Sequence, residues 1–129
     1  MRAKSYVGGS SSGSVNITGL DYSHLEGKAV IIVEDIVDTG LTLSQVIPAL
    51  QNAGNPKSLR VCTLLEKRIS VQRHPEAESA RIAIADRYVG FSIPDQFIIG
   101  YGLDFNESYR DLKDIWVISE LGIQAGGNI

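Results

Sequence analysis

The stretch "AVIIVEDIVDTGLTLSQ", residues 29–45 of a 129-residue chain, runs five apolar residues into Glu34 and Asp35, then a third acid, Asp38, then Thr39-Gly40. A continuous run of mostly β-branched residues ended by acids is the pattern of a strand buried on both faces. Ligands of parallel α/β sheets sit beyond the carboxyl ends of the strands, where Glu34 and Asp35 would stand. Gly40 can take a positive φ and gather backbone N–H groups, with the Thr39 and Thr42 hydroxyls beside it and a helix start behind it. Such a loop binds phosphate. Two carboxylates next to it accept hydrogen bonds from vicinal hydroxyls or hold a hydrated Mg²⁺, which points to a sugar phosphate. Asp38 is then available for acid or base work. The competing explanation, acids placed to favour a helix dipole, covers Asp38 and leaves the adjacent pair unexplained.

Outward from this stretch, Leu43, Val46, Ile47 and Leu50 recur at helical spacing over residues 42–53, with Pro48 expected to kink the helix or loosen a turn. "AGNPKS" ends it, and "LRVCTLLEK", residues 59–67, reads as a second buried strand. Strand, helix and strand with short connections form a right-handed parallel unit. The fold class expected is therefore α/β, a mostly parallel sheet with flanking helices. Further strands are expected at "YVGFSI", "FIIGYGL" and "DIWVIS", and the polar excursion over residues 71–87 has no clear pattern. Five strands with one long helix leave a sheet face without cover. Either another subunit covers it or part of the domain lies outside this chain. "GGSSSGSVN", residues 8–16, reads as a mobile loop between two short extended segments, or as a linker. No internal repeat is visible.

The length suits one domain, and 43% hydrophobic with 21% charged residues is ordinary for a soluble globular protein. A net charge of -3, with no gathered basic face, argues against nucleic acid or an anionic membrane as partner and for a small ligand. The single cysteine, Cys62, excludes an internal disulfide and suits a reducing compartment, most simply the cytoplasm. Nothing basic beside it suggests a reactive thiol. The amino-terminal "MRAKSYVGG" has no secretory pattern, and no run approaches the roughly 18 apolar residues of a membrane span.

The stretch 30–42, apolar residues, two acids and a short phosphate loop, resembles the phosphoribosyl pyrophosphate (PRPP) motif of type I phosphoribosyltransferases, and its second Asp before Thr-Gly resembles the hypoxanthine-guanine branch. "KSY" at residues 4–6, "LLEKR" at 64–68 and "VGFSIPDQFIIGYGLDFNESYRDL" at 89–112 are similar to the same branch in the same order, so the resemblance covers nearly the whole chain. It implies the type I phosphoribosyltransferase fold and transfer of phosphoribosyl from PRPP to hypoxanthine or guanine, giving IMP or GMP.

Carried over position by position, the resemblance implies that Glu34 and Asp35 hold the ribose hydroxyls, with Mg²⁺ nearby. The backbone and hydroxyls of Asp38, Thr39, Gly40, Leu41 and Thr42 would hold the 5-phosphate. Asp38 would exchange a proton with the purine ring nitrogen opposite the attacking one, and Lys67 would donate to the exocyclic oxygen. Phe97 would stack on the base, the Ile98 backbone would read its edge, and Asp104 would join a second Mg²⁺ site and the far edge of the base. Arg110 would meet pyrophosphate, and Ser5 and Tyr6 belong to the loop that closes over the reaction. The plainer alternatives are a strand end for Lys67, core packing for Phe97, a turn for Asp104 and a surface ion pair for Arg110.

These residue types suit the chemistry. Cleavage at the anomeric carbon builds positive charge that carboxylates stabilise, loop closure keeps water from the electrophile, and a buried donor rejects a base that leaves it unpaired. The chain begins where the family's pattern is already nearly half complete, so the expectation is a partial domain. Leu41 stands where some members carry Lys, with little consequence expected for a loop that acts through backbone N–H groups. The alternatives to an active enzyme are an inactive fragment, a nucleotide-binding or regulatory protein of the same fold, and a xanthine-preferring enzyme. Relatives of this kind imply a homodimer or homotetramer.

Overall fold

A computed structural model of the chain describes residues 22–70, 72 and 74–126. Residues 1–21, which hold Ser5, Tyr6 and the 8–16 loop, lie outside the described residues. The chain divides into two compact units, Met1–Ile93 and Pro94–Ile129.

In the first unit a short 3-10 turn, Tyr22–Leu25, leads into strand β1, Ala29–Val37, helix α1, Leu41–Gly54, and strand β2, Ser58–Arg68. Helix α2, Glu76–Ala83, and strand β3, Arg87–Pro94, follow. Strands β1 and β2 are parallel from Ala29↔Ser58 to Val37↔Glu66, and the sheet order is β1-β2-β3. Val61 N donates to Asp86 O, Gly90 lies against the Leu64 carbonyl and Arg68 reaches the Ser92 carbonyl. These contacts advance together along both strands, so β3 runs parallel to β2.

The acids do not end β1. Glu34 pairs with Thr63 and the ladder continues to Val37, because the longer β2 supplies partners beyond the apolar run. Helix α1 also runs through Pro48 without a break. Leu43, Val46, Ile47 and Leu50 are buried on its inner side, and this packing offsets the amide that Pro48 cannot supply. The polar excursion contains α2, anchored by buried Ala77 and Ala80.

The core joins Val37, Leu43, Ile47, Val61 and Ile84, with Ile32 and Leu59 packed on it. Ile31 and Val33, which alternate with Ile32 along β1 and so face the other way, are 60% and 76% exposed. Among the described residues this side of β1 carries exposed apolar side chains, in line with the expected open sheet face.

The last three expected strands do not extend one sheet with the first two. Only "YVGFSI" joins it, within β3. The other two shrink to β4, Ile98–Ile99, and β5, Trp116–Val117, which pair antiparallel with each other. The polypeptide between them is taken up by turns, with left-handed φ at Tyr101, Asn106, Glu107 and Tyr109. Helix α3, Glu120–Gly126, follows.

Candidate active site

The turn from β1 into α1 builds the site in the first unit. Gly40 has φ 85° and ψ 0° immediately before the helix. A residue with a Cβ would be strained there, and an added Cβ would sit 3.3 Å from Ile84 Cδ1 and 3.7 Å from Ala80 Cβ. The loop is therefore pressed onto α2 and kept tight. Thr39 Oγ1 accepts from Leu41 N at 3.4 Å, and the other first-turn amides have no partner inside the helix by geometry. An open cleft of about 330 Å³ runs along the loop, lined by every residue from Glu34 to Leu43. The sequence expectation thus lands in one place: Glu34, Asp35, Asp38, Thr39, Gly40, Leu41 and Thr42 line a single cleft.

Burial raises the Glu34 carboxyl above its ordinary value, and the charge of Asp35 adds in the same direction. Asp35 Oδ1 accepts from Ile36 N at 2.7 Å. Consecutive strand residues point to opposite faces, so this pair does not close on an ion unaided. Among the described residues no group of three His, Cys, Asp or Glu side chains forms a metal site. Two carboxylates would suit an ion that keeps water and phosphate oxygens as its other ligands, the usual habit of Mg²⁺.

Lys67 Nζ donates to Asp38 Oδ2 at 2.8 Å. This links residues 29 positions apart, because parallel pairing places the ends of β1 and β2 side by side. The amine end belongs to a buried residue, whereas Asp38 is largely exposed to the cleft. The strand-end explanation of Lys67 accounts for its backbone and not for this contact.

A charged cluster that the sequence reading missed lies beneath the pair. Glu66 is buried and receives Arg87 Nε at 3.0 Å and Nη2 at 2.9 Å. Arg81 Nη1 also donates to Glu66, while Arg81 Nη2 donates to the Asp38 carbonyl at 3.1 Å and to the Lys67 carbonyl. The hydrogen bond from Arg87 holds the Glu66 carboxyl below its ordinary value, against the opposing effect of burial. Two signals were available: an acid inside the buried "LLEKR" strand, and Ala77, Ala80, Arg81 and Ile84 at helical spacing.

The second unit carries the remaining expected residues. Phe97 and Phe105 meet edge to face with centroids 5.4 Å apart, and Phe97 keeps 49% of its surface exposed, so it is not plain core. Ile98 pairs with Val117. Asp104 Oδ2 accepts from Glu107 N at 2.7 Å and its Oδ1 pairs with Arg110 Nη2 at 2.9 Å. Arg110 Nη1 also donates to the Gly102 carbonyl. The turn and ion-pair explanations of Asp104 and Arg110 thus both describe contacts that exist.

The phosphoribosyl transferase domain matches residues 1–106. The hypoxanthine-guanine phosphoribosyltransferases of Sus scrofa and Homo sapiens are each 45% identical over 125 residues, covering 95% of this chain and 52% of theirs. That of Mus musculus is 43% identical over 123 residues, with 95% and 52% covered. The chain spans about half the length of these curated relatives. With a match over most of its length, a parallel sheet and a tight glycine turn between β1 and α1, the chain belongs to the phosphoribosyl transferase domain family.

Proposed function

We propose that the chain serves hypoxanthine-guanine phosphoribosyl transfer: the phosphoribosyl group of PRPP passes to hypoxanthine or guanine, giving IMP or GMP and pyrophosphate. The observation that carries this reading is the contact of Lys67 with Asp38, a residue that lines the 34–43 cleft. The contact brings together a cation that donates and a carboxylate that accepts, the pair of groups that an oxopurine edge needs, and this supports the reading.

In this reading the amides and hydroxyls of residues 39–42 hold the 5-phosphate, and Glu34 and Asp35 take the ribose hydroxyls. An entering oxopurine exchanges the Lys67–Asp38 bond for two of its own. Lys67 donates to the exocyclic oxygen, and Asp38 accepts the proton of the ring nitrogen opposite the attacking one. Adenine offers an amino group where Lys67 needs an acceptor, so it leaves a buried donor unpaired. Positive charge grows on the ribose as the bond to pyrophosphate breaks, and Glu34 and Asp35 are placed to stabilise it. Mg²⁺ bound with PRPP would neutralise the leaving pyrophosphate. Phe97, the Ile98 backbone, Asp104 and Arg110 are proposed for base stacking, base reading and pyrophosphate. Ser5 and Tyr6 are proposed for closure, and a homodimer or homotetramer in the cytoplasm for the assembled form.

The test supplies the purified chain with PRPP, Mg²⁺ and hypoxanthine, guanine, xanthine or adenine in turn, beside Asp38→Asn. We expect nucleotide from hypoxanthine or guanine that disappears in the variant. A folded chain that makes none would refute activity for these 129 residues.

A further inference from the structure

The proposed chemistry needs Asp38 and Lys67 together, and the two come from the ends of different strands. Both residues stand where their strands give way to irregular chain, Asp38 just past β1 and Lys67 one residue before the end of β2. We propose that Arg81 is the positioning residue of this pair, a strap from α2 that holds the two strand ends in register. This rests on the reading above only for the roles of Asp38 and Lys67.

One guanidinium nitrogen, Nη2, donates to the backbone carbonyls of both residues, Asp38 and Lys67. Their side chains then meet at 2.8 Å. The other, Nη1, is bound to Glu66, which Arg87 grips from the start of β3 through two nitrogens. The strap is thus tied to an acid that is itself fixed. Its helix is seated by buried Ala77, Ala80 and Ile84, and Ala80 and Ile84 also back Gly40. The planar fork of arginine reaches several acceptors in one fixed geometry, which the point charge of lysine does not reproduce. Arg81 Nε is buried without a hydrogen-bond partner, so the side chain is aimed by its terminal nitrogens rather than satisfied at every atom.

Simple packing of α2 predicts a different result, and a double-mutant cycle separates the two. Denaturant unfolding of the full chain measures the coupling of Asp38→Asn with Lys67→Met, first with Arg81 present and then in Arg81→Met and Arg81→Lys backgrounds. We expect a coupling of about fivefold in the unfolding equilibrium constant with Arg81 present. It should fall below about 1.5-fold in either background, since Lys restores charge without the fork. Coupling that persists unchanged in a folded variant overturns the proposal. If Arg81→Met does not fold, the Arg81→Lys background decides alone. Calorimetry with GMP and ribose 5-phosphate on the wild-type chain keeps the two readings apart. Binding of neither would sink the phosphoribosyltransferase reading, while the cycle would still judge Arg81.

Discussion

Asp38 has 54% of its side chain exposed and Lys67 only 9%, so the ion pair is screened at its acidic end and contributes at most about 1 kcal/mol to stability. Asp38→Asn should therefore destabilise the chain by no more than about 1 kcal/mol in denaturant unfolding, while under the proposed function it lowers IMP or GMP formation by about 100-fold or more, the usual range for loss of a general base. Glu66 is the opposite case. It is buried, and its two arginines come from α2 and β3, the elements packed against it. Glu66→Gln should cost about 3 kcal/mol at neutral pH, because removing one partner leaves buried charge uncompensated. The pH dependence follows from the depressed Glu66 carboxyl. Its contribution is complete above the ordinary carboxyl value of 4.5 and is lost as pH falls through the lower folded value. Unfolding curves of wild type and Glu66→Gln should accordingly differ most near neutrality and converge in acid. Parallel curves down to pH about 3 would contradict this.

Elements carry the next set of consequences. Pro48 is exposed in the middle of α1, where its missing N–H leaves one turn short of a bond. Pro48→Ala should raise stability by about 1–3 kcal/mol in chemical unfolding. Gly90 fails in the other direction: an added Cβ would lie 2.7 Å from the Leu64 carbonyl oxygen, so Gly90→Ala must push β3 from β2. A loss of about 1–3 kcal/mol, with weakened amide protection in β3, is expected by hydrogen exchange. The two positions also mark what the sequence could tell. The apolar run of β1, the spacing of Leu43, Val46, Ile47 and Leu50, and the Thr-Gly after Asp38 are local signals, and each placed its element or loop correctly. The continuity of α1 through Pro48 was hidden because packing of the buried side outweighs the local penalty. The shrinking of 97–103 and 114–119 to two-residue strands was hidden because apolar content does not report which backbone groups find partners. At the site, residues 34–42 were readable as a run, whereas Lys67 meeting Asp38 depends on parallel register. Arg81 depends on a helix in a segment whose polarity masked its small apolar stripe.

At the scale of the molecule, the first unit buries one sheet face under α1 and leaves the other with Ile31, Val33, Leu64 and Tyr88 exposed. Apolar area of this kind favours association. We expect sedimentation to show concentration-dependent self-association, and Val33→Lys to reduce it while shifting the unfolding midpoint little, since Val33 is 76% exposed. A monomer at every concentration would contradict that expectation. The same face carries the chain's one thiol. Cys62 pairs in register with Val33 and lines a shallow apolar hollow with Leu64 and Tyr88, only partly shielded. Alkylation by a maleimide therefore becomes a clock for that surface: every molecule, strand or copy laid over it slows one well-defined bond-forming reaction, and the ratio of rates reads the fraction of time the sheet stands open.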